Sequence, residues 1–215
     1  MTEPIDWEEE EDRIAPRFLA AGDPTGWFEE LYAGGESGRL TMPFSRRDPH
    51  PLLAEWAEAR GLAGAGRRAL IVGCGLGADA EYIAGRGFRT TAFDISEAAV
   101  RIARRRHEGS PVDYAVANLL DPPPGWARSF DLVVEIFTVQ ALPESVREKA
   151  TAAVASLLAP GGTLFVVMMS REEGTVADGP PWVFTRSQMD GFAVDGVKAV
   201  SIEGQDGRWI GEFTR

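Results

Sequence analysis

Three alternating glycines and a later aspartate are the residues best placed to do chemistry. Gly73, Gly75 and Gly77 follow the apolar run ALIV at 69–72. Glycine lets the backbone approach a ligand closely because it has no Cβ, and the helix that follows would present free N–H groups. Asp94 ends the next apolar run, where its carboxylate could accept hydrogen bonds from two ribose hydroxyls. These residues together favour a site for an adenosine-containing cofactor.

Other interpretations of the same residues stay open. Gly73, Gly75 and Ala78 also fit the G-x-G-x-x-A fingerprint of dinucleotide-binding proteins, and many glycine turns bind nothing. Asp94 could simply cap the next helix, although Ser96 could do so instead. A nicotinamide oxidoreductase often carries a tyrosine and a lysine on one helix, and no tyrosine here has a lysine four residues later. That absence disfavours the oxidoreductase.

Composition narrows the remaining function classes. The chain has 215 residues and a net charge of -11, which disfavours binding to nucleic acid phosphates. One cysteine and two histidines argue against a metal cluster or an internal disulfide. The sequence shows neither a membrane-spanning run nor a signal peptide, so we expect a cytoplasmic protein, a monomer or homodimer without metal. Residues 1–12 contain seven acidic side chains, and we expect a disordered acidic tail there.

The order of predicted elements points to one α/β domain. After residue 66, short apolar runs alternate with helical stretches, which is typical of a parallel sheet covered by helices. We expect strands at 69–73, 89–94, 112–117, 130–136 and 163–169, and helices at 78–87, 96–107 and 144–159. The end of the chain predicts a β-hairpin that turns at 205–207. We assign 13–66 to an N-terminal helical cap of the same domain, which spans 67–215.

In these motifs the sequence resembles the class I S-adenosylmethionine-dependent methyltransferases. The similarity covers about residues 66–213 and depends on VGCGLGADAEYIAGRGFRTTAFDIS, VANLLD, FDLVVEIFTVQAL and LLAPGGTLFVV. It implies a Rossmann-like, doubly wound, mostly parallel sheet of seven strands with an antiparallel C-terminal hairpin. It also implies S-adenosyl-L-methionine as cofactor and S-adenosyl-L-homocysteine as product. The cofactor-binding residues implied are Gly73, Cys74, Gly75, Gly77, Asp94, Ile95, Asn118, Leu119, Glu135 and Ile136.

A narrower part of the sequence is similar to the thiopurine methyltransferase branch of small-molecule methyltransferases. The similarity comes from WFEELY, MPF, HPLL and GPPWVFT at 179–185. Arg147 falls where that branch places an arginine that contacts the substrate. The branch usually has Asp-Arg-Gly-Ala-Leu after the fourth strand, however, and this chain reads EIFTV with Glu135 in the place of the acid.

Methyl transfer mainly requires that the acceptor be held in line with the methyl group, at roughly 3 to 3.5 Å. We therefore expect a methyltransferase that acts on a small aromatic or apolar acceptor through S, O or N. Glu135 and Arg147 are candidates to position or contact the substrate. The expected substrate pocket comprises Trp27, Tyr32, Phe44, Arg147, Trp182 and Phe184. Alternatively, these aromatics form the core of the cap, Arg147 faces solvent, and the protein is a non-catalytic module that binds the cofactor or its product.

Overall fold

Seven strands form one mixed sheet. The computed structural model describes residues 3–215. Its strands are β1 (Arg68–Val72), β2 (Arg89–Asp94), β3 (Asp113–Val116), β4 (Phe130–Ile136), β5 (Leu158–Met169), β6 (Lys198–Gln205) and β7 (Arg208–Thr214). Their order across the sheet is β3-β2-β1-β4-β5-β7-β6. The first five strands are parallel, and β7 runs antiparallel between β5 and β6. The predicted fold class is thereby confirmed.

Helices cover both faces of this sheet. They are α1 (Trp7–Ala20), α2 (Gly26–Glu36), α3 (Pro51–Ala59), α4 (Ala78–Gly85), α5 (Glu97–Arg106), α6 (Glu144–Leu157) and α7 (Arg186–Met189). Most predicted bounds lie within two residues of these. The exception is β5, which begins at Leu158 rather than at residue 163 because Leu158 pairs with Phe130 across a register shift. No helix within residues 3–215 has the length and apolar character needed to span a membrane.

The prediction of a disordered tail over 1–12 was wrong for most of that range. Residues 1 and 2 lie outside the described residues, but α1 begins at Trp7. Asp6 caps this helix by accepting a hydrogen bond from the N–H of Glu8. Glu10 is buried and forms ion pairs with Arg13 and Arg39. The acidic composition suggested disorder. The sequence does not show that Arg39 lies beside α1 and pairs with Glu10.

Four apolar clusters hold the layers together, and one of them joins Tyr32 of α2 to Leu76 and to Ala98, Ala99 and Ile102 of α5. One face of the sheet packs against α6, and the opposite face packs against α3, α4 and α5. A separate cluster joins α1 to α2 around the fully buried Trp27. Within the predicted cap, α3 lies directly on the sheet, since the ring of Trp56 stacks on Phe165 of β5 at 4.7 Å. The cap therefore consists mainly of α1, α2 and the loop 41–49.

The strand order creates a crevice at one edge of the sheet. β1 and β4 are neighbours, while β2 and β3 continue the sheet on one side and β5 continues it on the other. The chain therefore leaves β1 and β4 in opposite directions. In open parallel sheets, the space beyond the carboxyl ends of two such strands is the usual place for a ligand.

Candidate functional site

A cavity of about 180 Å³ lies at this crevice. Four groups of residues form its walls: the turn after β1, the ends of β2 and β3, the turn after β4, and the cap. Nine of the ten residues predicted to bind a cofactor line the cavity. They are Gly73, Cys74, Gly75, Gly77, Asp94, Ile95, Asn118, Leu119 and Ile136.

The turn after β1 is packed so tightly that only glycine fits. Gly73 and Gly75 have φ values of 58° and 49°, in the left-handed region that side chains disfavour. A Cβ on Gly73 would lie 2.2 Å from Oγ1 of Thr138, and one on Gly75 would lie 2.9 Å from the hydroxyl of Tyr32. The glycines thus allow the end of β1 to meet both the turn after β4 and helix α2.

Asp94 is held in the cavity by backbone donors. Its Oδ2 accepts a hydrogen bond from the N–H of Gly75 at 2.9 Å, and its Oδ1 accepts one from the N–H of Ser96 at 3.0 Å. Burial raises the pKa of the Asp94 carboxyl, and these two N–H groups act in the opposite direction. Ser96 caps α5 by accepting a hydrogen bond from Ala99. Asp94 is therefore free of the capping role that the sequence left open.

Tyr32 and Cys74 line the same side of the cavity as Asp94. The sequence placed Tyr32 in the substrate pocket, whereas the structure places its hydroxyl against Gly75. Burial raises the pKa of the Tyr32 hydroxyl well above its usual value, and the nearby Asp94 adds to this effect. Burial also raises the pKa of the Cys74 thiol. Both groups therefore stay protonated at neutral pH.

Asn118 lies at the end of β3. Its side-chain oxygen accepts a hydrogen bond from the N–H of Leu120 at 2.8 Å, which fixes the amide at the cavity wall. Because a carbonyl oxygen has two lone pairs and the amide has two further donors, the side chain can still bond to a ligand. Leu119 and Ile95 supply apolar surface beside it.

Glu135 is the one predicted cofactor residue that does not line the cavity. It is fully buried on the side of β4 that faces the α6 cluster. Its Oε1 accepts a hydrogen bond from the N–H of Val139 at 2.7 Å, and its Oε2 has no partner among the described residues. Strand alternation explains the difference, because Ile136 points to the opposite side. Glu135 is thus bonded to the turn that walls the cavity rather than to the cavity itself.

Three residues of the predicted substrate pocket form a separate cluster. The guanidinium of Arg147 is buried, donates to the carbonyl of Trp182 at 3.0 Å, and lies 4.6 Å from the ring centre of Phe184. None of these residues lines the cavity, and neither does Trp27. In this region the alternative of a core role fits the geometry. Arg147 does not face solvent, contrary to the other alternative, and it anchors the loop that carries Trp182.

Several cavity residues were missed by the sequence analysis. They are Thr25, Arg46, Leu76, Asp79, Phe93, Ala117, Leu120, Phe137, Thr138, Ala141 and Leu142. Arg46 is paired with Asp79 at 3.0 Å, and Asp79 also accepts a hydrogen bond from the N–H of His50. An arginine in a polar loop carries no signal of this contact. The position of Phe137 directly after β4 was one available signal, because the carboxyl end of that strand lies at the crevice.

Comparison with known proteins identifies related sequences over the centre of the chain. A family model described as a methyltransferase domain matches residues 69–162. A ubiquinone biosynthesis O-methyltransferase of Xanthomonas axonopodis pv. citri is 36% identical over 130 residues, which are 60% of this chain and 53% of that protein. The chain spans about half the length of the curated relatives first matched.

Solved structures share the fold at lower identity. One comes from work on the conversion of a disulfide bond into a thioacetal group during echinomycin biosynthesis. It has a TM-score of 0.68 and 23% identity, covering 87% of this chain and 93% of that one. The N-methyltransferase NodS of Bradyrhizobium japonicum, in complex with S-adenosyl-L-homocysteine, has a TM-score of 0.58 and 21% identity, covering 75% and 83%. At these identities, the likeness establishes the fold.

Proposed function

We propose that this chain, as a class I S-adenosylmethionine-dependent methyltransferase, methylates a small aromatic or apolar acceptor. The observation that carries the proposal is the carboxylate of Asp94. It is buried in the cavity and oriented by the N–H groups of Gly75 and Ser96. Each carboxylate oxygen keeps a second lone pair, so both can accept a hydrogen bond from a ribose hydroxyl.

The residues around Asp94 fit S-adenosylmethionine along its length. Asn118 and Leu119 would hold the adenine, and Asp94 would hold the ribose. The glycine turn lies under the methionine part of the cofactor in this assignment. Arg46 also lines the cavity, where it is paired with Asp79. The protonated hydroxyl of Tyr32 is then available as a donor to the methionine carboxylate. We therefore assign Tyr32 to the cofactor-binding site rather than to the acceptor pocket.

The chain's own contribution to the reaction is to orient the reactants and exclude water. When bound, S-adenosylmethionine supplies an electrophilic methyl group. Ile136, Phe137 and Leu142 give the acceptor an apolar surface near that group, and the cap closes the cavity from the other side. Exclusion of water and alignment are the main sources of acceleration for such a displacement. Glu135 does not reach the cavity, so the proposal assigns it no proton transfer.

The proposed acceptor atom is O, N or S. The matched curated relatives are named O-methyltransferases, and NodS is an N-methyltransferase. Three simple acceptors of similar shape separate these cases: catechol, aniline and thiophenol. Formation of S-adenosylhomocysteine with each acceptor identifies the preferred atom.

The binding step is tested first, by calorimetric titration of S-adenosylhomocysteine and of NAD into the wild-type protein and Asp94→Ala. We expect binding of S-adenosylhomocysteine and at least about a tenfold loss of affinity in the variant, since two charge-assisted hydrogen bonds disappear. Asp113→Ala is the matched control, because Asp113 is exposed at the start of the neighbouring strand.

The outcomes separate the competing functions. Binding of NAD alone would favour an oxidoreductase, and binding of neither ligand would refute the cofactor assignment. Tight binding of S-adenosylhomocysteine with no transfer to any acceptor would favour the non-catalytic module.

A further inference from the structure

Two phenylalanines in the cavity wall have an unusual backbone. Six non-glycine residues of the described chain have φ in the left-handed region: Phe44, Ala65, Arg128, Phe137, Asp195 and Asp206. Phe44 and Phe137 are the aromatic members of this set, with φ values of 47° and 65°, and both line the cavity. A bulky side chain in this region is strained, and such residues cluster at functional sites.

Phe137 is held in this conformation by bonds to three different elements. Its N–H donates to the carbonyl of Val167 on β5 at 3.0 Å. The hydroxyl of the next residue, Thr138, donates to the carbonyl of Val72 on β1 at 3.0 Å. The N–H of Val139 donates to the buried Glu135. These bonds fix the turn on both sides of Phe137, so the structure around it maintains a strain that glycine would remove.

Phe44 enters the cavity wall from the cap. It lies in the loop between α2 and α3, and its ring is 4.4 Å from that of Trp7 and 6.3 Å from that of Tyr32. Nearly half of its surface is exposed, at 47%. An exposed aromatic side chain in a strained conformation gains little from the folded core. A contact between the ring of Phe44 and a ligand in the cavity explains its position more simply.

We propose that Phe44 and Phe137 form an aromatic clamp that selects a planar, apolar acceptor. The inference rests on the proposed function and deepens it, since it names the residues that set acceptor shape. Phe137 provides a fixed surface at the end of β4, and Phe44 provides a surface on the cap loop. Flat aromatic ligands gain stacking or edge contacts with such rings in addition to buried area.

The clamp is tested with 2-naphthol as a probe, titrated by its fluorescence into protein saturated with S-adenosylhomocysteine. We expect Phe44→Ala, Phe137→Ala and Phe137→Gly each to weaken probe binding by about tenfold. Affinity for S-adenosylhomocysteine should change by less than about twofold. Asp206→Gly is the matched control, because it removes a left-handed side chain in the β6–β7 turn, away from the cavity.

Thermal unfolding separates the functional role from a structural one. Phe137→Gly should melt about 2 to 4 °C above Phe137→Ala, because both lack the ring but only glycine relieves the strain. Wild-type probe binding in all three variants, or no probe binding to the wild-type complex, would overturn the clamp while leaving the cofactor assignment intact. Failure of the wild type to bind S-adenosylhomocysteine would overturn the proposed function and the clamp together.

Discussion

The carboxyl group of Glu135 is buried among apolar side chains. Burial raises its pKa to about 8, although the backbone N–H of Val139 favours the charged form. In the unfolded chain a glutamate titrates near its ordinary value. The folded protein therefore binds one more proton than the unfolded chain between about pH 4.5 and 8. For this group, the stabilising contribution is fully present below pH 4.5 and is lost as the pH rises through 8.

Glu135→Gln should remove this pH dependence. Stability of the wild type should fall by at most about 1.4 kcal/mol per pH unit across this window, since one proton is released on unfolding. In the variant, the free energy of unfolding measured with urea should change less steeply with pH between pH 5 and 8. Glu203→Gln, exposed on β6, is the matched control. Parallel slopes for the wild type and Glu135→Gln would show that Glu135 is already charged in the folded state.

At the scale of single residues, the sequence predicted the cofactor side of the cavity better than the acceptor side. Gly75 and Asp94 are marked by their places at the ends of two strands, and strand ends meet at one edge of a parallel sheet. Phe137 also follows a strand end, but the sequence does not show its left-handed φ, which is held by bonds to β1 and β5. The sequence placed Arg147 in the substrate pocket for a related reason. It does not show that the guanidinium bonds to the loop that carries Trp182 instead of lining the cavity.

Helix α1 carries an ion-pair network built around one buried carboxylate, that of Glu10. Hydrogen bonds from Arg13 and then from Arg39 lower the pKa of Glu10 to about 2. Arg39 lies beyond α2, so its bond to Glu10 ties α1 to the chain that follows α2. The stabilising contribution is present above the ordinary glutamate pKa and is lost as the pH falls through about 2.

Glu10→Gln should loosen α1 without unfolding the sheet. We expect a cost of about 1 to 3 kcal/mol, because a charged hydrogen-bond acceptor for two arginines is lost. Hydrogen exchange should accelerate in α1 and hardly change in β1 and β4. Glu9→Gln is the control, since Glu9 is exposed on the same helix. Equal exchange rates in both variants would argue that apolar packing around Trp27 alone holds α1.

Elements were predictable where a local pattern specifies them. β2 and β4 match their predicted ranges because each is a short apolar run bounded by turn residues. The cap of α5 by Ser96 was also predicted and is confirmed by its bond to Ala99. α1 was not predictable in this way, because its acidic face is compensated by an arginine distant in sequence. The assignment of α3 to the cap likewise missed its contact with β5, which only tertiary packing reveals.

At the scale of the whole molecule, the cavity lies where the cap meets the sheet, beside an apolar cluster that joins Tyr32 of α2 to Ala98 and Ile102 of α5. The cap supplies Phe28, Tyr32 and Phe44, while the sheet supplies Asp94 and Thr138. The cluster between α1 and α2 is distinct from the clusters on the two faces of the sheet. A ligand that fills the cavity would contact both parts, so its binding energy should stabilise the cap and the sheet together.

S-adenosylhomocysteine at about 100 times its dissociation constant should therefore stabilise the protein by about 2.7 kcal/mol. For a chain of this size, that corresponds to a rise of about 5 to 10 °C in melting temperature. Hydrogen exchange should slow in α2 and the loop 41–49 as well as in the turn after β4. Asp94→Ala, with its affinity reduced at least about tenfold, should gain no more than about 1.4 kcal/mol at the same ligand concentration and should show weaker protection. Protection confined to the sheet would mean that the ligand binds without the cap, and that Tyr32 does not contribute to its site.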